Sequence, residues 1–139
     1  MNMRFRFFPI LTAIAVTAVS SAWAGDEVMH GAAARALRKA EVLIQQKHYK
    51  NAAAQFERAN ELAGGSCPEC LLGVARAYNG AGQIDAALQL TRMALPLFAS
   101  ADGRARAYDQ LGSLLAAKGE KGFAEEAFRK AVALASSAP

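Results

Sequence analysis

The sequence predicts an all-α fold, an α-solenoid of three antiparallel helical hairpins. Three segments of similar pattern recur along the chain, with apolar residues at helical spacing and glycines between the segments. No stretch alternates apolar and polar residues as a half-buried β-strand does. We therefore expect one repeat domain over residues 25–139. Its three hairpins are predicted at about 30–63, 67–98 and 103–135.

Residues 1–24 have the layout of a secretory signal peptide. Two arginines near the start precede an apolar stretch over 7–19, and Ala22 and Ala24 are the small residues of a cleavage site. The cut is expected between Ala24 and Gly25. The apolar stretch falls short of the roughly 20 residues that a bilayer span needs. We therefore expect no stable membrane span after cleavage, and a periplasmic or secreted protein.

The charge pattern argues against two classes of partner. The formal net charge of +4 falls to +2 when Arg4 and Arg6 leave with the signal peptide, and no block of five or more like charges remains. Nucleic-acid and anionic-membrane binding usually show such basic blocks or stripes. We expect neither as a partner.

Three helical segments share one spacing of small and larger residues. Each has an alanine, a residue four positions on, a second alanine three further and an apolar residue three beyond. The first alanines are Ala52, Ala87 and Ala124, so the units are 35 and 37 residues apart. A period of this length indicates stacked supersecondary repeats, of which about three are needed to bury a core.

Each of these segments is preceded by a second helical segment. In the last two units it approximates the pattern W-x₂-L-G-x₂-Y. The residues at these places are Leu71, Val74, Ala75 and Tyr78 in the second unit and Tyr108, Leu111, Gly112 and Leu115 in the third. The first unit is degenerate and has Ala36, Lys39, Ala40 and Leu43. Small residues such as Ala75 and Gly112 let paired helices approach closely, and the larger residues fill the space beside them.

This period and pattern resemble the tetratricopeptide repeat (TPR) family over residues 33–135. The resemblance implies a right-handed superhelix of helical hairpins. Its concave groove, lined by the first helix of each hairpin, would hold a peptide or a domain of a partner protein. TPR-like proteins are usually scaffolds or adaptors, so no enzyme activity is expected.

The six helices are predicted at about 30–46, 50–63, 68–80, 84–98, 103–117 and 122–135. The assignment of the first hairpin as a repeat depends mainly on its second helix. Its first helix is degenerate, and Lys47 stands where later hairpins have Gly82 and Gly119 in the turn. In the second hairpin, Ser66 and Glu69 have the spacing of a capping box before the third helix.

Later in the chain, Pro96 is expected to weaken the end of the fourth helix, because proline lacks an amide donor. Residues 99–103 are then expected to form a loop, which separates the fourth helix from the fifth and sixth.

The family alignment directs six side chains into the groove: Glu41, Gln45, Arg76, Asn79, Asp109 and Ser113. The alternative is that they are ordinary solvated helix residues. TPRs that bind a terminal carboxylate use several Lys, Arg and Asn side chains, whereas this set has one arginine and two acids. That ligand is therefore not expected here.

The pair Cys67 and Cys70 is the one motif with potential chemistry. A helix N-terminus lowers a thiol pKa, so a redox or redox-gated function is the alternative to a binding module. In an exported protein a structural disulfide is also expected. The pair resembles the Cys-x-x-Cys of thioredoxin-like proteins, but no strand precedes it. A zinc site would need two further ligands, and apart from carboxylates only His30 and His48 are present.

No catalytic residue, cofactor or metal site is predicted. The chain has no G-x-S-x-G motif and no glycine-rich phosphate loop. One further expectation concerns assembly: no extra polar helix follows the third hairpin, so its open face is a candidate for homo-oligomer formation.

Overall fold

The computed structural model describes the backbone of residues 20–137 and the side chains of residues 30–137. Most of the predicted signal peptide, residues 1–19, lies outside this part. The helices are α1 Ser20–Gln45, α2 Tyr49–Leu62, α3 Pro68–Gly80, α4 Ile84–Ala94, α5 Ala101–Lys118 and α6 Lys121–Ser136, and a 3₁₀ turn spans Leu95–Leu97. Residues 20–137 contain no β-strand. No helix with described residues is long and apolar enough to cross a bilayer.

The bounds of α2, α3, α5 and α6 agree with the prediction to within two residues. Helix α1 begins ten residues earlier than the predicted start at residue 30, and the expected cut at Ala24–Gly25 falls within it. The effect of Pro96 is confirmed, because α4 ends at Ala94 and continues only as a 3₁₀ turn.

Two local predictions were wrong. Residues 99–103 are not all loop: Ser100 caps α5, its Oγ accepting a hydrogen bond from the Gly103 N–H at 3.0 Å, so the helix starts at Ala101. Ser66 does not cap α3 either. Cys67 holds that position, and its Sγ accepts a hydrogen bond from the Cys70 N–H at 3.2 Å.

The helices pair as α1–α2, α3–α4 and α5–α6, and successive hairpins join through α2–α3 and α4–α5. The first helices also contact one another, α1 with α3 and α3 with α5. Within residues 20–137 no contact of similar extent joins α2 to α4 or α4 to α6. The first helices therefore lie on the inner side of the stack.

The core is formed mainly by alanine and glycine facing a few larger side chains. Ala52, Ala75 and Ala87 are fully buried. A Cβ on Gly112 would lie 2.7 Å from Cε1 of Phe128, so the third hairpin closes only because this residue is glycine. The close approach predicted at Ala75 and Gly112 is thus confirmed.

Each hairpin turn contains one residue with positive φ. In the last two hairpins this residue is Gly82 (φ 80°) and Gly119 (φ 89°), and in the first it is Lys47 (φ 61°). Lys47 is the one non-glycine residue with positive φ in the described chain. It therefore takes the place of glycine at a cost in backbone strain.

Candidate partner-binding surfaces

Three of the predicted groove residues occupy equivalent positions in the repeat. Glu41 on α1, Arg76 on α3 and Ser113 on α5 are separated by the same 35 and 37 residues that separate the repeat alanines. Because α1, α3 and α5 lie side by side, these residues form one row across the inner helices. Arg76 and Ser113 are exposed, and Glu41 is half-buried.

The row contains an ion pair that the sequence interpretation missed. Arg76 Nη2 donates to Glu41 Oε1 across the α1–α3 contact. The same guanidinium lies 5.6 Å from the centroid of the Phe56 ring, which is fully buried beneath it. Arg76 is therefore held from two sides, and its charge is already paired within the protein.

The other four predicted residues, Gln45, Asn79, Asp109 and Ser113, are all exposed. No side-chain hydrogen bond or ion pair joins them to one another within the described part of the protein. Asp109 is the charged groove residue that remains without an ion pair there. Beside the Glu41–Arg76 pair, the predicted set thus presents one carboxylate and three neutral polar groups.

A polar contact between hairpins was also not predicted. Gln110 Nε2 donates to the Leu72 carbonyl and to Thr91 Oγ1, both at 3.3 Å. Thr91 is fully buried, and its hydroxyl donates to the Ala87 carbonyl at 2.8 Å. This network joins α5 to α3 and α4, so it fixes the second hairpin relative to the third. The signal in the sequence was a threonine and a glutamine on faces that otherwise carry apolar residues.

The structure joins Cys67 and Cys70 by a disulfide. Cys70 is fully buried against Ala36 and Ala59, and Cys67 is half-buried. The Cys67 N–H donates to Asn60 Oδ1 at 2.9 Å, so the start of α3 is attached to the end of α2. No group of three metal-ligating side chains occurs among the residues whose side chains are described.

A cleft of 370 Å³ lies between α5 and α6, with Arg92 of α4 at its edge. Tyr108 and Phe123 contribute aromatic lining, and Phe123 is 66% exposed. Lys130 pairs with Glu126 at 2.8 Å, and this hydrogen bond and charge lower the pKa of the Glu126 carboxyl and raise the pKa of the Lys130 ammonium. Both signs of charge therefore border this cleft.

A further cleft of 330 Å³ lies between α1 and α2. Its charged lining residues are Arg35, Lys39 and Arg58, with Gln55 beside them and no carboxylate. A third cleft, between α2 and the α3–α4 turn, is lined by both Lys50 and Glu57.

Comparison with known proteins agrees with this architecture. A tetratricopeptide repeat model matches residues 105–137, which cover most of the third hairpin. No protein of curated function matches the chain.

Solved structures with the same fold include three of low sequence identity. The MamA RS-1 ArsTM double mutant matches with a TM-score of 0.64 and 24% identity, over 73% of this chain and 55% of that one. A MamA crystal structure matches with 0.65 and 19%, over 77% and 60%. The N-terminal domain of stress-induced protein-1 (STI-1) from C. elegans matches with 0.66 and 18%, over 76% and 86%. The chain thus spans 55–60% of the length of the MamA structures.

Proposed function

Because the chain has the tetratricopeptide repeat fold and its third hairpin matches the repeat model, we propose that it is a scaffold that binds a partner protein or peptide along its inner surface. Proteins of this fold are generally interaction modules rather than enzymes. The site residues are those of the row and its neighbours, which are Glu41, Gln45, Arg76, Asn79, Asp109 and Ser113.

One observation carries this proposal: the first helices lie side by side and present polar residues at equivalent repeat positions, of which Arg76 and Ser113 are exposed and Glu41 is half-buried. The Glu41–Arg76 pair crosses the contact between two hairpins, and Phe56 supports it from below. The Arg76 side chain is therefore already ordered, so it loses little conformational freedom when a partner binds, which favours affinity. Asp109 supplies the free charge that a partner's cation would meet.

The test is crosslinking and pull-down from the organism's own extracytoplasmic extract. Wild type is compared with an Arg76→Glu/Asp109→Lys variant, which reverses both charges. A partner captured by wild type and lost with the variant supports the groove as the site. Capture that is equal for both proteins contradicts it.

A charge swap controls for loss of structure. Arg76→Glu alone places two carboxylates opposite each other, whereas Glu41→Arg/Arg76→Glu restores an ion pair of reversed direction. Binding that depends on the groove is expected to be weak in both variants. Thermal stability is expected to recover in the swap, which separates recognition from folding.

We also propose that the protein is exported to the periplasm or beyond. The support is the layout of residues 1–24 in the sequence. After expression of the full sequence, the mass of the extracytoplasmic protein is expected to match a chain beginning at Gly25. A charged residue at position 24, as in Ala24→Asp, is expected to block processing. An intact chain in the cytoplasmic fraction of wild type would contradict the proposal.

We also propose that the protein self-associates through its last hairpin, and the support is one exposed apolar side chain. Val132 on α6 is 65% exposed and is equivalent to half-buried Leu95. Glu125 stands where the second hairpin has buried Leu88, so the same face also carries charge. Light scattering of wild type and Val132→Glu over a wide concentration range tests this. Monomers at every wild-type concentration would contradict it.

The Cys67–Cys70 pair has no specific support as a redox centre. Burial of Cys70 shields its sulfur from an attacking thiolate, so thiol–disulfide exchange would have to begin at half-buried Cys67. We propose instead that the disulfide is a structural cross-link of the first turn of α3, whose start is attached to α2 by the hydrogen bond from the Cys67 N–H to Asn60.

A further inference from the structure

The first hairpin differs from the other two on the face that points away from the stack. In the second and third hairpins, the equivalent face packs against the preceding hairpin. Val74 belongs to the buried cluster that contains Ala40 and Phe56 of the first hairpin, and Leu90 packs against it. Ala127 belongs to the cluster that contains Ala75 of the second hairpin, and Leu111 packs against it. These four residues, at two equivalent positions of the repeat, thus define the surface through which one hairpin joins the previous one.

The same positions in the first hairpin are polar. Lys39 is equivalent to Val74 and Leu111, and Gln55 is equivalent to Leu90 and Ala127. Arg35 is equivalent to two further residues that are fully buried, which are Cys70 and Ala107. Arg35 and Lys39 are exposed and Gln55 is half-buried. The face therefore lacks the apolar side chains through which hairpins stack.

This face forms the cleft between α1 and α2. Arg35 and Lys39 are four residues apart on one side of α1, and Arg58 reaches the cleft from α2. Ala36 and Leu62 contribute apolar lining, and Gln55 adds an amide. The two other clefts described above contain carboxylates as well as cations, whereas the charged residues that line this one are all cations.

The three cations have no carboxylate partner within the described side chains. The ion pairs there are Glu41–Arg76, Asp102–Arg106, Asp85–Lys118, Glu120–Lys118 and Glu126–Lys130. Like charges at i and i+4 on a helix repel each other, so Arg35 and Lys39 oppose folding rather than assist it. A polar end face needs hydrophilic residues, but it does not need one sign of charge.

We propose that this cleft binds an acidic segment of a partner protein. Arg35 and Arg58 would each bind a carboxylate in the bidentate geometry that guanidinium favours, and Lys39 would add a point charge. Gln55 can donate to a peptide carbonyl. A protein segment is favoured over nucleic acid because, of the three clefts described above, only this one lacks carboxylates, and the rest of the expected mature chain is nearly neutral.

The inference rests on the proposed function and deepens it, because it adds a second contact to the same kind of partner. It predicts that a partner spans from the inner groove to the outer face of the first hairpin. Acidic residues would reach Arg35 and Arg58 while a cation meets Asp109. The cleft can be tested without the partner, so its failure is distinct from failure of the groove.

The probe is a short fluorescent polyglutamate peptide with blocked termini, titrated into protein purified after expression of the full sequence. Wild type is expected to bind it, with affinity falling as salt is added. The cleft variant Arg35→Gln/Lys39→Gln/Arg58→Gln is expected to bind roughly tenfold or more weakly.

The matched control removes the same charges elsewhere. Arg104→Gln/Lys121→Gln/Arg129→Gln also changes two arginines and one lysine, all of them exposed, and is expected to bind the peptide as wild type does. Cooperative thermal unfolding at a temperature no lower than that of wild type shows that the fold is kept in both variants. Equal binding by the two variants would overturn the proposal. Tighter binding of single-stranded RNA or anionic vesicles than of polyglutamate, lost with the cleft variant, would overturn the assignment to a protein segment.

Discussion

The ring of Phe56 on α2 lies against the backbone of Gly73 on α3. A Cβ built on Gly73 would be 2.4 Å from both Cδ1 and Cε1 of that ring. Phe56 is fully buried, and the guanidinium of Arg76 lies 5.6 Å from the centroid of its ring. The contact therefore links the packing of the first two hairpins to the position of the groove arginine.

Gly73→Ala is expected to destabilise the protein by about 1–3 kcal/mol, because the added Cβ would overlap a fully buried ring. Urea unfolding measures the change. Gly122→Ala is the matched control, since nothing lies within 4 Å of its Cβ position in α6, and it is expected to be stabilising by about 0.5–1 kcal/mol. Equal effects of the two substitutions would mean that the Phe56–Gly73 approach is looser than described.

The contact between Gln110 and Thr91 gives a second prediction. Gln110→Ala removes both hydrogen bonds to the second hairpin and is expected to cost about 1 kcal/mol. Thr91→Val removes the shared hydroxyl. The double variant is expected to cost less than the sum of the single ones, by about 0.5 kcal/mol or more. Strict additivity in a double-mutant cycle would show that the two side chains are not coupled.

The positions of the helices were predictable because their signals are local. The spacing of alanines and larger apolar residues marks each helix, and Gly82 and Gly119 mark two of the turns. The start of α3 was not predictable in the same way, because serine is a common cap residue, whereas the residue that caps the helix is Cys67. Cys67 becomes the cap since Asn60, seven residues away, binds its amide.

The Glu41–Arg76 ion pair could have been predicted from the sequence but was missed. Its separation of 35 residues equals one repeat, which places the two side chains on neighbouring first helices. The hydrogen bonds of Gln110 could not be predicted from the repeat spacing. Its hydrogen bonds depend on the angle at which α5 packs against α3 and α4, and the repeat pattern does not specify that angle.

The turn of the first hairpin gives a third prediction. Lys47 has a φ of 61°, a conformation that costs an L-residue roughly 1–2 kcal/mol. Lys47→Gly is expected to be stabilising by about 0.5–1 kcal/mol, after the added entropy of the unfolded chain is counted. Gly82→Ala, with φ 80° and open space around it, is expected to be destabilising by about 1 kcal/mol. Thermal unfolding of both variants measures the two changes in stability, which are expected to have opposite signs. A loss of stability in Lys47→Gly would contradict this explanation.

The cross-link at the α2–α3 junction gives the last prediction. Cys67→Ser/Cys70→Ala removes the disulfide, while the introduced serine hydroxyl can still accept from the amide of residue 70, as Cys67 Sγ does in the native chain. Loop-closure entropy for so short a loop gives an expected loss of about 2 kcal/mol. Reductant is expected to lower the stability of wild type by a similar amount and to leave the variant unchanged. The disulfide includes none of the six groove residues and none of the three cations of the α1–α2 cleft, so partner capture and polyglutamate binding are expected to persist in the folded variant. Loss of capture without loss of stability would instead assign the cysteine pair a direct part in function.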